Sequence, residues 1–220
     1  MKEKSGMNPG KERDADIKAS RRNTMKNMVQ LVLTLSLAVF LANCGAAREQ
    51  IRTQSITERE GVFQEVTAAE GPPVRFADVV VKASLKTHLS GEGPLLESRN
   101  SPHGGPFYHF VLNIDGQAVT WKAPGQRENL PVVKGRGSQD EGDGMRYTLE
   151  KKIRLRAGTH RIFLGVPDEN YTKTMTVNLQ EGKSNTLEYR PIYPRYKWGH
   201  PAFRLGFLGF NVRMDNTSID

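Results

Sequence analysis

From Val74 onward apolar residues recur at every second position or in short runs, broken by Gly, Pro, Asn and Asp, a strand pattern rather than a helical one. Residues 79–81, all valine, with Leu85 predict a first strand. Residues 107–114 and 117–121 are both β-prone and flank Asp115-Gly116, a pair that accepts positive φ at both central positions of a tight hairpin turn. Tyr147, Leu149, Ile153 and Leu155 alternate with charged residues over 147–156, and Ala157-Gly158 predicts a turn. Further strands follow at 160–166, 173–180 and 185–189, with Glu181-Gly182 turning between the last two. No amphipathic helical stretch interrupts this run. The expectation is a mainly β domain over 74–220, built as an antiparallel β-sandwich.

The polar segments complete the division. Residues 123–144 are rich in Gly and charge and predict a long exposed loop. Residues 44–73 close on Gly71-Pro72-Pro73 and hold few apolar positions, so they predict a flexible tether, although Ser55-Ile56-Thr57-Glu58 could cap a short helix.

The N-terminal part has a different character. Residues 29–41 carry no charge, follow Arg21, Arg22 and Lys26, and precede small residues, the arrangement of a signal peptide. Thirteen residues fall short of the ~20 apolar residues that a spanning helix takes. Leu41-Ala42-Asn43-Cys44 resembles the bacterial lipobox, with Asn43 where Gly, Ala or Ser is usual. The resemblance implies cleavage after residue 43 and lipid on Cys44, the single cysteine of the chain. Met25 directly precedes this segment and offers an alternative start, and residues 20–26 resemble the twin-arginine consensus with Thr24 in place of its large apolar residue.

Charge and cysteine use narrow the function classes. Residues 1–44 hold eight Lys or Arg against four Asp or Glu, so half of the net charge of +8 belongs to the targeting segment. The remaining mild excess, with both signs interspersed, does not make the basic and aromatic face of a nucleic-acid module. One cysteine excludes an intramolecular disulfide and a multi-cysteine zinc site. His88, His103, His109, His160 and His200 show no metal-ligand spacing, and His109 and His160, within expected strands, read as structural residues. Residues 140–144, Asp-Glu-Gly-Asp-Gly, lack the order of an EF-hand loop and read as a solvated acidic loop rather than a Ca²⁺ site. Nucleophile elbows, phosphate-cradling Gly loops and zinc-protease motifs are absent from the sequence, so no catalytic residue and no cofactor is expected, and a hydrolase is the least supported functional reading.

Leu155-Arg-Ala-Gly158-Thr-His160-Arg-Ile162, then Tyr171, Val177-Asn-Leu179-Gln-Glu-Gly182 and Leu187 resemble the PEGA-type and related prealbumin-like or immunoglobulin-like modules of bacterial envelope proteins. Residues 123–144 and Val166-Pro167-Asp168-Glu169-Asn170-Tyr171 depart from that pattern. The resemblance covers about residues 107–190 and implies a non-catalytic β-sandwich for contact with an envelope protein or a cell-wall polymer. Gly45 after the cysteine lacks the acidic residue that retains many lipoproteins at the inner membrane, which implies an outer-membrane, periplasm-facing position. The C-terminal aromatics supply the candidate binding surface: Tyr193, Arg195, Tyr196 and Trp198 could stack on sugar rings or grip a partner. Residues 203–210, with three phenylalanines, are expected to form a last strand packed into the core.

Overall fold

The computed structural model describes residues 45–67, 70–93, 101–131, 139–194 and 201–219. The β structure belongs to the compact unit Ala47–Asp220. It runs β1 (Phe63–Glu65), β2 (Phe76–Thr87), β3 (Phe107–Ile114), β4 (Gln117–Leu130), β5 (Gly142–Arg156), β6 (Gly158–Val166), β7 (Tyr171–Leu179), β8 (Ser184–Ile192), β9 (Gly209–Met214) and β10 (Thr217–Ser218). Short 3₁₀ turns cover Pro167–Glu169 and Ala202–Leu205.

Period-two alternation decides which side of each strand is buried. Val79, Val81, Ala83 and Leu85 of β2 point inward, as do Tyr147, Leu149, Ile153 and Leu155 of β5. With Phe110, Leu112, Ile114, Ile162, Leu164 and Val177 they form one continuous core. The predicted hairpin is present, with φ of 48° at Asp115 and 98° at Gly116.

The strands form a curled sheet, a half-barrel, in the order β10-β9-β8-β2-β5-β4-β3-β6-β7, with β1 beside β5. Two features depart from the expected antiparallel arrangement. β2 and β8 are parallel, Asp78 opposite Ser184 through Ala83 opposite Tyr189, so the sheet is mixed. This pairing follows from the turn after β7, which carries the chain across to β2: Gly182 N donates to Phe76 O and Asp78 N to Lys183 O, both at 2.9 Å. The second feature is β4, which pairs with β3 as far as Pro124 and with β5 from Gly125 onward. Proline cannot donate to a ladder, which suits a change of partner. A Cβ on Gly125 would lie 2.9 Å from Gly105 O and 2.9 Å from the Tyr147 ring, so the bend needs glycine for space.

Of the expected loop at 123–144, residues 123–130 and 142–144 are therefore strand, while 132–138 lie outside the described residues. Its polarity has another cause: Arg127 and Asp143 pair across β4 and β5 at 2.6 Å, and Arg146 and Glu128 at 2.8 Å. Its glycine at 144 reflects close packing, since a Cβ there would lie 2.6 Å from Thr87 O and 2.8 Å from the Phe203 ring. The acidic run is likewise not a solvated loop, because Glu141 is buried and Gly142–Asp143 open β5.

The expected tether is folded over much of its length. Residues 47–54 are helical, and Ile51, 6 % exposed, packs with Val111 and Phe163 on the outer side of β3 and β6. Arg48 Nε donates to Asn170 Oδ1 at 2.8 Å, and β1 pairs with β5. Three apolar residues, Ile51, Val62 and Phe63, were too few for periodicity to register, yet each meets a surface already built by distant strands. Ser55 ends this helix rather than capping a new one: its hydroxyl donates to Ile51 O at 2.6 Å.

The buried Asp78 carboxylate is held by Arg154 at 2.7 and 3.0 Å and by Lys152 at 2.9 Å. The Arg154 hydrogen bonds, joined by those of Lys152 and opposed by burial, keep its carboxyl below the usual carboxylate range. A lowered folded-state value means that this contribution is present above the ordinary carboxylate range and is lost as pH falls through it. Urea unfolding at stepped pH will therefore show Asp78→Asn losing part of the acid sensitivity of the parent chain. Gly125→Ala, which overpacks the bend, will lower the urea-unfolding free energy by about 1–3 kcal/mol.

Candidate functional site

Two clefts mark the surface of the β unit. The first to consider, about 230 Å³, lies where the end of β2 meets the 3₁₀ turn of Ala202–Leu205. Its apolar side carries Phe203, Leu205 and Phe207, and its polar side His88, His103 and Glu169. Leu205 on the apolar side is exposed.

The polar side is a hydrogen-bonded chain. His88 Nδ1 meets Leu89 O at 2.8 Å, His88 Nε2 meets His103 Nδ1 at 3.1 Å, and His103 Nε2 meets Glu169 Oε1 at 3.0 Å. Tyr108 OH donates to the same oxygen at 2.5 Å. Burial first, and Glu169 second, push the Tyr108 hydroxyl far above its ordinary pKa, so it stays a donor. With both nitrogens of each ring engaged, the chain is suited to shape and stiffen a wall.

Lys86 forms the floor and is buried to 1 % exposure. A buried ammonium needs partners. Its Nζ donates to Asp140 O at 2.9 Å and Gly142 O at 2.8 Å, lies 3.1 Å from Glu128, and sits 5.0 Å from the Phe203 ring centroid. Burial alone would raise the Glu128 carboxyl, but hydrogen bonds from Arg146 and Lys86 outweigh it and lower it.

Of the candidate binding residues, Tyr193 is described and is not at the surface. It is 3 % exposed, its ring lies 6.5 Å from that of Phe203, and its hydroxyl oxygen accepts from Lys86 N at 2.7 Å. Burial raises that hydroxyl well above its usual pKa. An aromatic next to cations reads the same in sequence whether the core takes its ring or not. Cys44, Arg195, Tyr196, Trp198 and His200 lie outside the described residues. Phe203 and Phe210 are buried as expected, although Phe203 sits in the 3₁₀ turn and the strand begins only at Gly209.

The assembly of His88, His103, Tyr108 and Glu169 was not legible in sequence. Its members are separated by as many as 66 positions in one hydrogen bond, so no spacing rule connects them. Among the described residues no three His, Cys, Asp or Glu side chains converge in a way that could hold a metal ion. Comparisons with protein-family models, with curated proteins and with solved structures find no match to this chain.

Glu169→Gln leaves the His103 and Tyr108 donors competing for a neutral amide, and it will lower the urea-unfolding free energy by about 1–3 kcal/mol. Tyr108→Phe will cost less. Equal stability of parent and Glu169→Gln would show that the chain of bonds contributes nothing.

Proposed function

We propose that this chain is a lipid-anchored cell-envelope protein whose β module makes protein–protein or structural contacts. One observation carries the reading. Cys44, the only cysteine of the chain, closes Leu41-Ala42-Asn43-Cys44 at the end of the uncharged segment 29–41, the order of a signal peptide followed by a lipobox. The only cysteine and the apolar segment before it agree in register. No helix among the described residues is long and apolar enough to cross a membrane.

Protein contact is favoured over polysaccharide binding by the character of the cleft. Exposed Leu205 beside Phe203 and Phe207 fits apolar side chains of a partner better than sugar rings. The carbohydrate reading rests on Arg195, Tyr196 and Trp198 now that Tyr193 is a core residue. For the fold we propose the prealbumin-like or immunoglobulin-like sandwich of PEGA-type modules, supported by the shared core and by the passage of β4 between two sets of partners. Gly45 supports an outer-membrane, periplasm-facing position.

With the lipid bound to Cys44, the mature protein would stand close to the bilayer instead of on a long spacer, because residues 47–54 and 63–65 are part of the fold. Labelling with palmitate and mass spectrometry of the mature N-terminus will find diacylglyceryl-modified Cys44 and no residues 1–43. Cys44→Ser will abolish the label. An unmodified Cys44 overturns the anchor.

A further inference from the structure

The second cleft, about 310 Å³, lies between the segment after the first helix, the β3–β4 turn and β6. That volume is at the lower end of small-molecule sites. Its walls carry Arg59, Arg161 and Glu58, and its floor is Asn113 and Phe163, both buried.

The backbones that present these charges are fixed to one turn. Gly116 O accepts from Glu58 N at 2.8 Å and from Arg59 N at 3.1 Å. Arg161 N donates to Asp115 Oδ1 at 2.8 Å, and Asp115 N donates to Arg161 O at 3.1 Å. Asn113 closes the frame, donating to Gln54 O and accepting from Gly116 N, each at 2.9 Å. A hairpin needs none of these extra bonds to turn. The stem of Arg59 lies over Gly116, where a Cβ would come within 3.4 Å of Arg59 Cγ.

The charges themselves are unequally used. Asp115 is occupied, its Oδ2 lying 2.7 Å from His160 Nδ1, while the side chains of Glu58, Arg59 and Arg161 have no hydrogen bond or ion pair among the described residues. Two guanidinium groups and one carboxylate thus face a single polar cleft. The complementary ligand carries an oxyanion and, next to it, an ammonium group. Guanidinium binds phosphate oxygens through paired N–H donors, and a carboxylate binds an ammonium that has N–H bonds to give.

We propose that this cleft binds a phosphoethanolamine group, with the phosphate at Arg59 and Arg161 and the ammonium at Glu58. The source favoured is the headgroup of a membrane phospholipid. That choice rests on the lipid-anchored reading, since Thr53 on the cleft wall follows Cys44 by nine residues. The binding chemistry itself does not rest on it. A headgroup held here would orient the module on the bilayer to which Cys44 ties it.

Calorimetric titration of the purified full chain in non-ionic detergent tests the proposal, with O-phosphoethanolamine, inorganic phosphate, glycine, short-chain phosphatidylethanolamine and short-chain phosphatidylcholine as probes. O-phosphoethanolamine and phosphatidylethanolamine will bind saturably, and phosphatidylcholine, whose quaternary ammonium has no N–H, more weakly. Arg59→Gln and Arg161→Gln will each weaken binding about tenfold or more. Glu58→Gln will remove the preference over inorganic phosphate. All three side chains are exposed, and unchanged circular dichroism will show that the variants fold. Absence of saturable binding, wild-type affinity in both arginine variants, inorganic phosphate binding as tightly as O-phosphoethanolamine, or glycine binding more tightly than either overturns the site. Binding of O-phosphoethanolamine without phosphatidylethanolamine overturns the lipid source. These titrations read the same whether or not Cys44 carries lipid, so their failure is distinct from failure of the anchor.

Discussion

The rest of the structure depends on the bend of β4 at Pro124-Gly125. There one strand leaves β3 and joins β5, which links the strands of one side of the core to those of the other in a single hydrogen-bonded path. Residue 124 can give up its ladder donor because it has none, and residue 125 can approach Gly105 O and the Tyr147 ring because it has no side chain. The ring that crowds Gly125 also seals the bend, as Tyr147 OH donates to Gly105 O at 2.8 Å. Once the sheet curls at this point, alternate residues from most of its strands meet in one core.

Curling leaves β7 and β10 as the ends of the path, and the start of β7 is closed by aromatic packing rather than by backbone pairing. The Tyr171 ring meets Phe207 at 5.3 Å and Phe210 at 5.5 Å, both edge-on, and Tyr189 meets Phe210 at 5.8 Å. Phe210 N donates to the Tyr171 hydroxyl oxygen at 3.3 Å, a side-chain acceptor where a neighbouring strand would have offered a carbonyl. Gly209 is required by the same contact, since a Cβ there would lie 2.9 Å from the Tyr171 ring.

The charged residues fall into two groups with different work. Asp78 and Lys86 are buried and surrounded by partners, which is the condition for keeping charge out of water. Lys86 in particular joins β2 to the start of β5 and to the Phe203 turn, so the floor of the apolar cleft is set by an ion pair. Glu58, Arg59 and Arg161 are the opposite case, exposed side chains on a rigidly bonded backbone. Rigidity beneath unused charge favours recognition, while buried charge with every donor engaged favours structure. The proposed partner cleft and the proposed headgroup cleft are compatible with each other on a module held beside a membrane, as the anchor proposed above would hold it.

The sequence by itself determined the strands at 107–114, 117–121, 147–156, 160–166, 173–180 and 185–189, the inward alternation of Tyr147, Leu149, Ile153 and Leu155, and the Asp115-Gly116 turn, because period-two burial and positive φ are local properties carried by neighbouring residues. Tertiary structure decided what depends on distant partners. Residues 47–67 read as a spacer because their few apolar side chains find a surface only after β3, β5 and β6 are in place. Residues 123–130 and 142–144 read as a loop because cross-strand ion pairs and glycines without room for a Cβ look like loop composition. Tyr193 read as surface because burial of a ring depends on Lys86 N and Phe203, more than a hundred residues before it and ten after. The His88–His103–Glu169 chain and the Arg59–Arg161 cleft are likewise products of folding, since neither has a spacing that a linear chain can show.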